Sequence, residues 1–258
     1  MLLASCVLAS CGGRATGETT REPPISPSVT ARTSPAFQAV GRPGRLERAI
    51  AAISEGAGAY VAIPRMRYVP MWNRPGGGEQ ADYVFDARSP NGGRAPMLVA
   101  DVREEGNRAW LELYLPIRPN GSTGWVRVED VRVRARRERI EVDLSRRILE
   151  RYVDGELVDR LRVGVGTETY PTATGTFYVW VKVPFDPPHP AYGSLALGLS
   201  GFSPVLSEWP GEGRMAIHGT PWGTDRGRAV SHGCVRVWNP EMERLADVPL
   251  GTPVIIRP

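Results

Sequence analysis

The chain has 258 residues, enough for two modest domains that each bury an apolar core. Its formal net charge is +4, and Lys182 is the only lysine, so nearly all of the positive charge is arginine. Basic residues are scattered among acidic ones except at residues 132–139, which we interpret as a solvated strand edge and linker rather than a contact for an anionic polymer. No basic–aromatic pattern appears, which argues against a nucleic-acid partner.

The first eleven residues, MLLASCVLASC, are apolar and uncharged, and they are too short to span a bilayer. They are typical of the end of a secretory signal peptide. The run Leu8-Ala9-Ser10-Cys11 resembles a bacterial lipobox, which predicts lipidation at Cys11 and attachment to a membrane through the lipid. An ordinary cleaved signal is the alternative. In both cases we expect an exported protein on the periplasmic side of the cell envelope.

Residues 12–45 are rich in Pro, Ser, Thr, Gly and Arg, which predicts a flexible tether. The next segment, residues 45–54, places its apolar side chains on one face of a short predicted helix. We assign this helix and the β-rich stretch that follows it to one domain, residues 46–136.

Short apolar runs separated by Gly, Pro and Asn turns dominate residues 57–135 and predict a small β-barrel. The segment around Trp110 and Trp125 resembles the end of a bacterial SH3-like domain. The predicted strands cover residues 60–63, 66–71, 95–102, 109–115 and 124–128.

A second β-rich region begins near residue 138, where apolar and charged residues alternate as in a half-buried strand. Asp154-Gly155 between two β-type runs predicts a hairpin. Residues 184–213 are rich in Pro, Gly and Ser, and we expect them to form a long loop over the functional site. A short helix at residues 240–246 and a closing strand at residues 254–256 complete the chain.

One segment, RMAIHGTPWGTDRGRAVSHGCVRVW, contains two of the three histidines and the only cysteine beyond position 11. It predicts a buried strand that ends at His218, a loop over residues 219–227, and a strand that follows Cys234. Such a loop can fold back and bring the cysteine beside the end of the first strand. A Cys–His pair suits acyl transfer through a thioester, and the backbone N–H groups of Gly233 and Cys234 are candidate oxyanion donors.

Two other interpretations of these residues are open. Cys234 is a buried structural cysteine in the first, although an unpaired thiol in an exported protein then lacks an explanation. A metal site built from His218, His232 and Cys234, with or without His189, is the second. The paired ligand spacing that zinc sites show is missing, so we predict neither a metal nor another cofactor.

Ile217-His218-Gly219-Thr220, followed by Ser231-His232-Gly233-Cys234-Val235-Arg236, resembles the signature of the L,D-transpeptidase (YkuD-type) family. That signature is a His, a variable loop, Ser/Thr-His-Gly-Cys, an apolar residue, and Arg or Asn. The similarity extends to the hairpin and to a Pro-Thr-x-x-Gly-x-Phe segment at residues 171–177. The resemblance implies a mainly β chain, with a β-sandwich and short helices at residues 137–258 after the SH3-like barrel.

The resemblance also implies roles for individual residues. His218 is the expected base, with the Gly219 carbonyl orienting its ring, and Cys234 is the expected nucleophile. Ser231 matches a motif position, and His232 is expected to organise the loop or line the site. Arg236 either binds a substrate carboxylate or braces the loop. We expect Thr220 to have a structural role and His189 to lie at the surface. Tyr192 is expected to reach the site.

The implied substrate is a peptidoglycan stem tetrapeptide, which is cleaved before its terminal D-residue. The implied acceptor is an amine. It belongs to the side chain of the third residue of another stem, to an envelope protein, or to a free D-amino acid. Two alternatives remain from the sequence. A wall carboxypeptidase or other thiol hydrolase differs only in using water as acceptor, and a non-enzymatic wall-binding lipoprotein would not need the free thiol.

Overall fold

A computed structural model describes residues 59–106, 108–208 and 211–258. The predicted signal segment with Cys11, the tether and the helix at residues 45–54 lie outside the described residues. Among the residues that are described, no helix has the length and apolar character needed to cross a membrane.

The first part of the described chain forms a five-stranded antiparallel sheet in the order β6-β5-β4-β1-β7, with β2 and β3 as a separate hairpin. Alternate side chains of these strands fill one apolar core. The predicted strands are present, and β3 is a strand that the sequence did not indicate. The likeness to an SH3-like domain stays a prediction. The seven strands are β1 (Ala59–Pro64), β2 (Tyr68–Met71), β3 (Tyr83–Asp86), β4 (Met97–Glu105), β5 (Arg108–Tyr114), β6 (Thr123–Arg127) and β7 (Val131–Arg136).

The second part forms an eight-stranded sheet in the order β10-β9-β8-β17-β12-β13-β14-β16. A two-stranded parallel pair, β11 and β15, lies beside it. Its elements are β8 (Glu138–Asp143), β9 (Ile148–Val153), β10 (Glu156–Arg162), β11 (Val165–Gly166), β12 (Gly175–His189), β13 (Gly193–Phe202), β14 (Arg214–Thr220), β15 (Ala229–Ser231), β16 (Val235–Trp238), α1 (Asn239–Met242) and β17 (Pro253–Arg257).

The eight-stranded sheet folds over a single core. Leu149 and Leu161 belong to strands at one end of the sheet and Ile217 and Val235 to strands at the other, yet all four pack in one cluster. Strands from opposite ends of a sheet share a core only when the sheet curves back on itself as a sandwich. The chain is therefore mainly β with a sandwich-like second part, as the sequence predicted.

The hairpin predicted at Asp154-Gly155 is confirmed. Both residues have positive φ, 54° for Asp154 and 85° for Gly155, as a two-residue type I′ turn requires. The turn joins β9 to β10, and Val153 pairs with Glu156 directly across it. A local sequence signal determines this turn, so no distant contact was needed to find it.

The predicted long loop at residues 184–213 is wrong for most of its length. β12 continues to His189, and β13 begins at Gly193 and runs through Phe202. Prolines suggested a loop because they cannot donate to a central ladder. Beyond Val179, however, β13 is the one strand that pairs with β12 among the described residues, so the other edge of β12 needs no N–H donors there. Among the described residues of this segment, 190–192, 203–208 and 211–213 lack strand structure.

Candidate active site

The parallel pairing of β14 with β16 brings the predicted catalytic residues together. Ile217 lies opposite Val235 and His218 opposite Arg236. Ile217 and Val235 are buried in the core, so the alternating residues on both strands face the other side of the sheet. Cys234 immediately precedes β16 and therefore lies diagonally across from His218 on that face. The fold-back predicted from the sequence is thus a parallel strand pair.

A tight turn, Ser231 to Cys234, presents the thiol. Ser231 is 1% exposed, and its Oγ donates to the Cys234 carbonyl oxygen at 2.5 Å while accepting the Gly233 N–H at 3.1 Å. Gly233 has φ of +116°, a conformation that side chains with a Cβ rarely adopt. The serine and the glycine of the motif therefore shape the backbone that holds the cysteine.

We expect Gly233→Ala to lower the free energy of unfolding by about 1–3 kcal/mol, because alanine is strained at this φ. The substitution should also change the alkylation rate of Cys234. Gly155→Ala is the matched control, since Gly155 in the β9–β10 turn also has a positive φ, +85°, and no atom lies within 4 Å of an added Cβ. Urea unfolding and iodoacetamide labelling of both variants would check this. An unchanged labelling rate in Gly233→Ala would contradict the role of the turn.

The His218 ring is held at one nitrogen. Its Nδ1 lies 2.8 Å from the Gly219 carbonyl oxygen, the orienting contact that the family resemblance implied. A carbonyl oxygen only accepts, so Nδ1 carries the proton and Nε2 keeps a lone pair for the thiol. Tyr192 contacts the ring edge-on, with centroids 4.9 Å apart. Burial lowers the pKa of His218 to about 4, and the bond to Gly219 partly opposes this shift.

Gly219, the residue after His218, lies very close to neighbouring segments of the chain. A Cβ added at Gly219 would lie 2.5 Å from Asn239 Oδ1 and 3.1 Å from both the Gly193 Cα and the Tyr192 carbonyl oxygen. Contacts this short are incompatible with any side chain. The glycine after the histidine therefore lets β13, β14 and α1 approach one another.

Burial raises the pKa of the Cys234 thiol above its ordinary value, although contact with the Ala216 backbone and the positive charge of Arg236 oppose this shift. The His218 imidazole is neutral at pH 7 for the same reason, burial. The resting pair is thus a neutral thiol beside a neutral imidazole. Such a pair forms the thiolate only when the base accepts the proton during attack.

We expect the alkylation rate of Cys234 to rise about tenfold per pH unit through neutral pH, because the thiolate is the reactive form and its fraction follows pH below the pKa. Iodoacetamide labelling would be followed by intact mass, with Cys6 and Cys11 replaced by serine so that one thiol remains. A rate that reaches a plateau below about pH 7 would indicate a preformed thiolate–imidazolium pair and contradict this assignment.

Of the two backbone N–H groups predicted to bind the oxyanion, those of Gly233 and Cys234, one already has a hydrogen-bond partner. The Gly233 N–H is engaged by Ser231 Oγ within the turn, so it does not point at an incoming carbonyl in this conformation. The expectation for Gly233 is corrected accordingly, because the turn needs this N–H to close. The Cys234 N–H is the member of the pair that remains as a candidate donor.

Arg236 forms an ion pair that the sequence did not indicate. Its Nη1 lies 3.1 Å from Asp225 Oδ2, and Thr220 Oγ1 donates to the same oxygen at 3.0 Å. Asp225 is 8% exposed and sits in the loop between β14 and β15. Of the two roles considered for Arg236, bracing the loop matches these contacts. No local sequence pattern marked Asp225, because its contact with Arg236 forms only when the loop folds against β16.

The other two histidines lie at the margins of the site. His232 is exposed, and its ring packs on Tyr170 with centroids 4.6 Å apart. His189, which was expected at the surface, is half-buried, and its ring makes a tilted contact with Tyr192 with centroids 4.9 Å apart. His189 Nδ1 accepts the Ala191 N–H at 3.1 Å. Tyr192 does reach the site, since its ring contacts His218.

Comparisons with known proteins agree with the motif. The YkuD family model, the L,D-transpeptidase catalytic domain, matches residues 137–256. The YkuD protein of Bacillus licheniformis is 35% identical over 121 residues, which cover 46% of this chain and 66% of that protein.

Two solved structures are also similar in part. The crystal structure of an Enterococcus faecium L,D-transpeptidase variant has 25% identity and a TM-score of 0.37, with 46% of this chain and 49% of that chain covered. An L,D-transpeptidase from Mycobacterium smegmatis has 15% identity and a TM-score of 0.38, with 62% and 98% covered. The chain spans about half the length of the Enterococcus protein. From the family match and the Bacillus relative, residues 137–256 belong to the YkuD family of L,D-transpeptidase catalytic domains.

Proposed function

We propose that the protein is a peptidoglycan L,D-transpeptidase in which Cys234 is the nucleophile and His218 the general base. The observation that supports this most directly is the position of the two residues on one face of the β14–β16 pair. The Gly219 carbonyl oxygen accepts the His218 Nδ1–H and leaves Nε2 with the lone pair that a base needs. The family match supports peptidoglycan stem peptides as the substrate class, and we propose a tetrapeptide stem as the acyl donor.

In the acylation step, His218 Nε2 accepts the Cys234 proton as sulfur attacks the carbonyl carbon before the terminal D-residue. The Cys234 N–H stabilises the negative charge on the tetrahedral oxygen. The C–N bond then breaks, and the imidazolium returns the proton to the departing amine. The products are a thioester on Cys234 and the free D-residue.

In the second step an amine attacks the thioester carbonyl and restores the thiol. His218 accepts a proton from this amine and returns it to the sulfur, so protons balance over the cycle. The side-chain amine of a third stem residue as acceptor gives a 3→3 cross-link. Water as acceptor gives a hydrolysed tripeptide and makes the same site a carboxypeptidase.

Mass spectrometry of the protein with a tetrapeptide stem that bears a third-residue side-chain amine tests the proposal. We expect loss of the terminal D-residue, a thioester adduct on Cys234 and a stem–stem dimer. Cys234→Ala should form neither adduct nor product. Because it removes only the sulfur, this variant is also the control for folding.

The products separate the candidate functions. Hydrolysed tripeptide without dimer would identify the carboxypeptidase. Equal turnover by the Cys234→Ala protein would disprove the nucleophile, and binding of wall polymer without turnover would favour the non-enzymatic wall protein.

We also propose that the protein is exported and held in the cell envelope by a lipid on Cys11. The lipobox-like sequence before Cys11 supports this, as does a substrate that lies outside the cytoplasm. Most of the protein should sediment with membranes, and Cys11→Ser should release it. Lipid attachment at Cys11 would be contradicted if the wild-type protein and the Cys11→Ser variant were both soluble, or if both sedimented with membranes.

A further inference from the structure

The loop between β5 and β6 of the first sheet reaches across to the second sheet. Arg118, in this loop, donates to three backbone carbonyl oxygens of the chain that follows β13. The distances are 3.0 Å to Ser203, 2.8 Å to Leu206 and 2.7 Å to Glu212. A guanidinium offers five N–H donors fixed in one plane and spread over three nitrogens, so it can hold three carbonyls in a defined geometry, whereas a lysine presents a single nitrogen.

Asn120, two residues further on, bonds the end of β13 in both directions. Its Nδ2 donates to the Phe202 carbonyl oxygen at 2.8 Å, and its Oδ1 accepts the Phe202 N–H at 2.9 Å. The side-chain amide thus replaces a strand partner where β13 ends. The Arg118 guanidinium also stacks on the Phe202 ring, 4.6 Å from its centroid.

Two residues of the second sheet, buried Tyr178 and half-buried Arg214, complete the junction. The Tyr178 hydroxyl donates to the Tyr114 carbonyl oxygen at 3.3 Å, and its ring packs in the core of the first sheet. Arg214 donates to the Pro116 carbonyl oxygen at 3.2 Å and stacks on Trp180 at 3.8 Å. The first sheet is therefore packed against the second, not merely linked to it.

The held segment lies beside the turn that presents the thiol. Ser203 is 2% exposed, and a Cβ added at Gly233 would lie 3.9 Å from its side chain. The Ser203 N–H donates to the Gly213 carbonyl oxygen at 2.7 Å, and its Oγ accepts the Leu206 N–H at 3.1 Å. One residue, Ser203, thus separates the Arg118 guanidinium from the Ser231–Cys234 turn.

We propose that Arg118 and Asn120 are positioning residues for the thiol site: they fix Ser203 and its neighbours against the Ser231–Cys234 turn. The first sheet would then act as a structural part of the active site rather than as a spacer. The effect on turnover rests on the function proposed above, whereas the effect on the thiol does not.

The test compares Arg118→Ala with Arg103→Ala in the full chain, with Cys6 and Cys11 replaced by serine. Arg103 is the matched control because it lies on β4 of the same sheet and pairs only with Asp101 in the contacts described. The measurements are kcat and KM for release of the D-residue, the iodoacetamide labelling rate of Cys234, and the melting temperature.

We expect Arg118→Ala to lower kcat about tenfold with little change in KM, since a misplaced site loses orientation rather than binding. Labelling of Cys234 should become several-fold faster, because a loosened turn exposes the thiol. Arg118→Lys should restore little, since one ammonium replaces a planar fork. Asn120→Ala should change kcat and labelling in the same direction, and it is the milder variant if Arg118→Ala folds poorly.

Equal kcat and equal labelling in Arg118→Ala and Arg103→Ala would overturn the inference, whatever the melting temperatures. A lower melting temperature alone would mean that the junction only stabilises the fold. If the wild-type protein showed no turnover, the labelling rates would still decide the positioning role. Failure of the proposed function and failure of this inference are therefore distinguishable.

Discussion

Replacement of His218 by asparagine is expected to lower kcat by about 10³-fold, within the range that general base catalysis contributes. Asparagine is the informative choice because its amide can still donate to the Gly219 carbonyl oxygen that now holds Nδ1. The fold should therefore be retained while the proton acceptor is lost. Release of the terminal D-residue, measured across the pH range, would check both the size and the pH dependence of the effect.

The wild-type rate should remain high at mildly acidic pH and fall as pH approaches about 4, because protonation of His218 removes the base and burial lowers its pKa to about 4. Arg236 and His189 near the ring favour the neutral form, and Asp225 opposes them. His232→Asn is the matched control, and we expect a loss of about tenfold or less, since that ring packs on Tyr170. Similar losses in both variants, or a wild-type rate that falls near pH 6.5, would contradict the assignment.

Replacement of Arg236 by alanine is expected to lower the free energy of unfolding by about 3 kcal/mol, because it strands a buried carboxylate. Of the two partners that the described part of the chain gives Asp225 Oδ2, the Thr220 hydroxyl would remain. The Arg236 side chain is 22% exposed and that of Asp225 is 11% exposed, so solvent compensates for little of the lost charge. Urea unfolding measures the loss, and the KM for the stem peptide should change little.

Arg160→Ala is the control for Arg236→Ala, since Arg160 pairs with Glu150 at a side chain that is 57% exposed. Exposed pairs contribute about 0.2–1 kcal/mol, so the control should lose no more than that. Adding Asp225→Asn to Arg236→Ala should recover part of the stability by removing the stranded charge. A small stability loss together with a large rise in KM would instead make Arg236 a ligand of a substrate carboxylate.

The neutral state of both Cys234 and His218 at rest underlies the predictions for His218→Asn and for the alkylation of Cys234. A thiol whose pKa is raised by burial and a histidine whose pKa is lowered by burial do not exchange a proton at rest. The base therefore matters most during attack, and its removal should lower kcat more than substrate binding.

Much of the site was visible in the sequence because its components are close along the chain. Ser231, Gly233 and Cys234 form one turn, and its hydrogen bonds span three residues or fewer. The Gly219 carbonyl adjoins the histidine that it orients. Local geometry of this kind follows from residue type and spacing. Asp225 was missed because its partner Arg236 is eleven residues away, and nothing local marks the pair.

Sequence by itself determined the mainly β character, the Asp154-Gly155 hairpin and the Cys–His motif, since alternation, turn chemistry and nucleophile chemistry are local properties. Only the tertiary structure decided the parallel pairing of β14 with β16, the continuation of β12 through its prolines, and the engagement of the Gly233 N–H. It also decided the contact of Arg118 with the chain beside the thiol, 85 or more residues away. These features depend on which distant segments pack together, and burial, not local propensity, selects that packing.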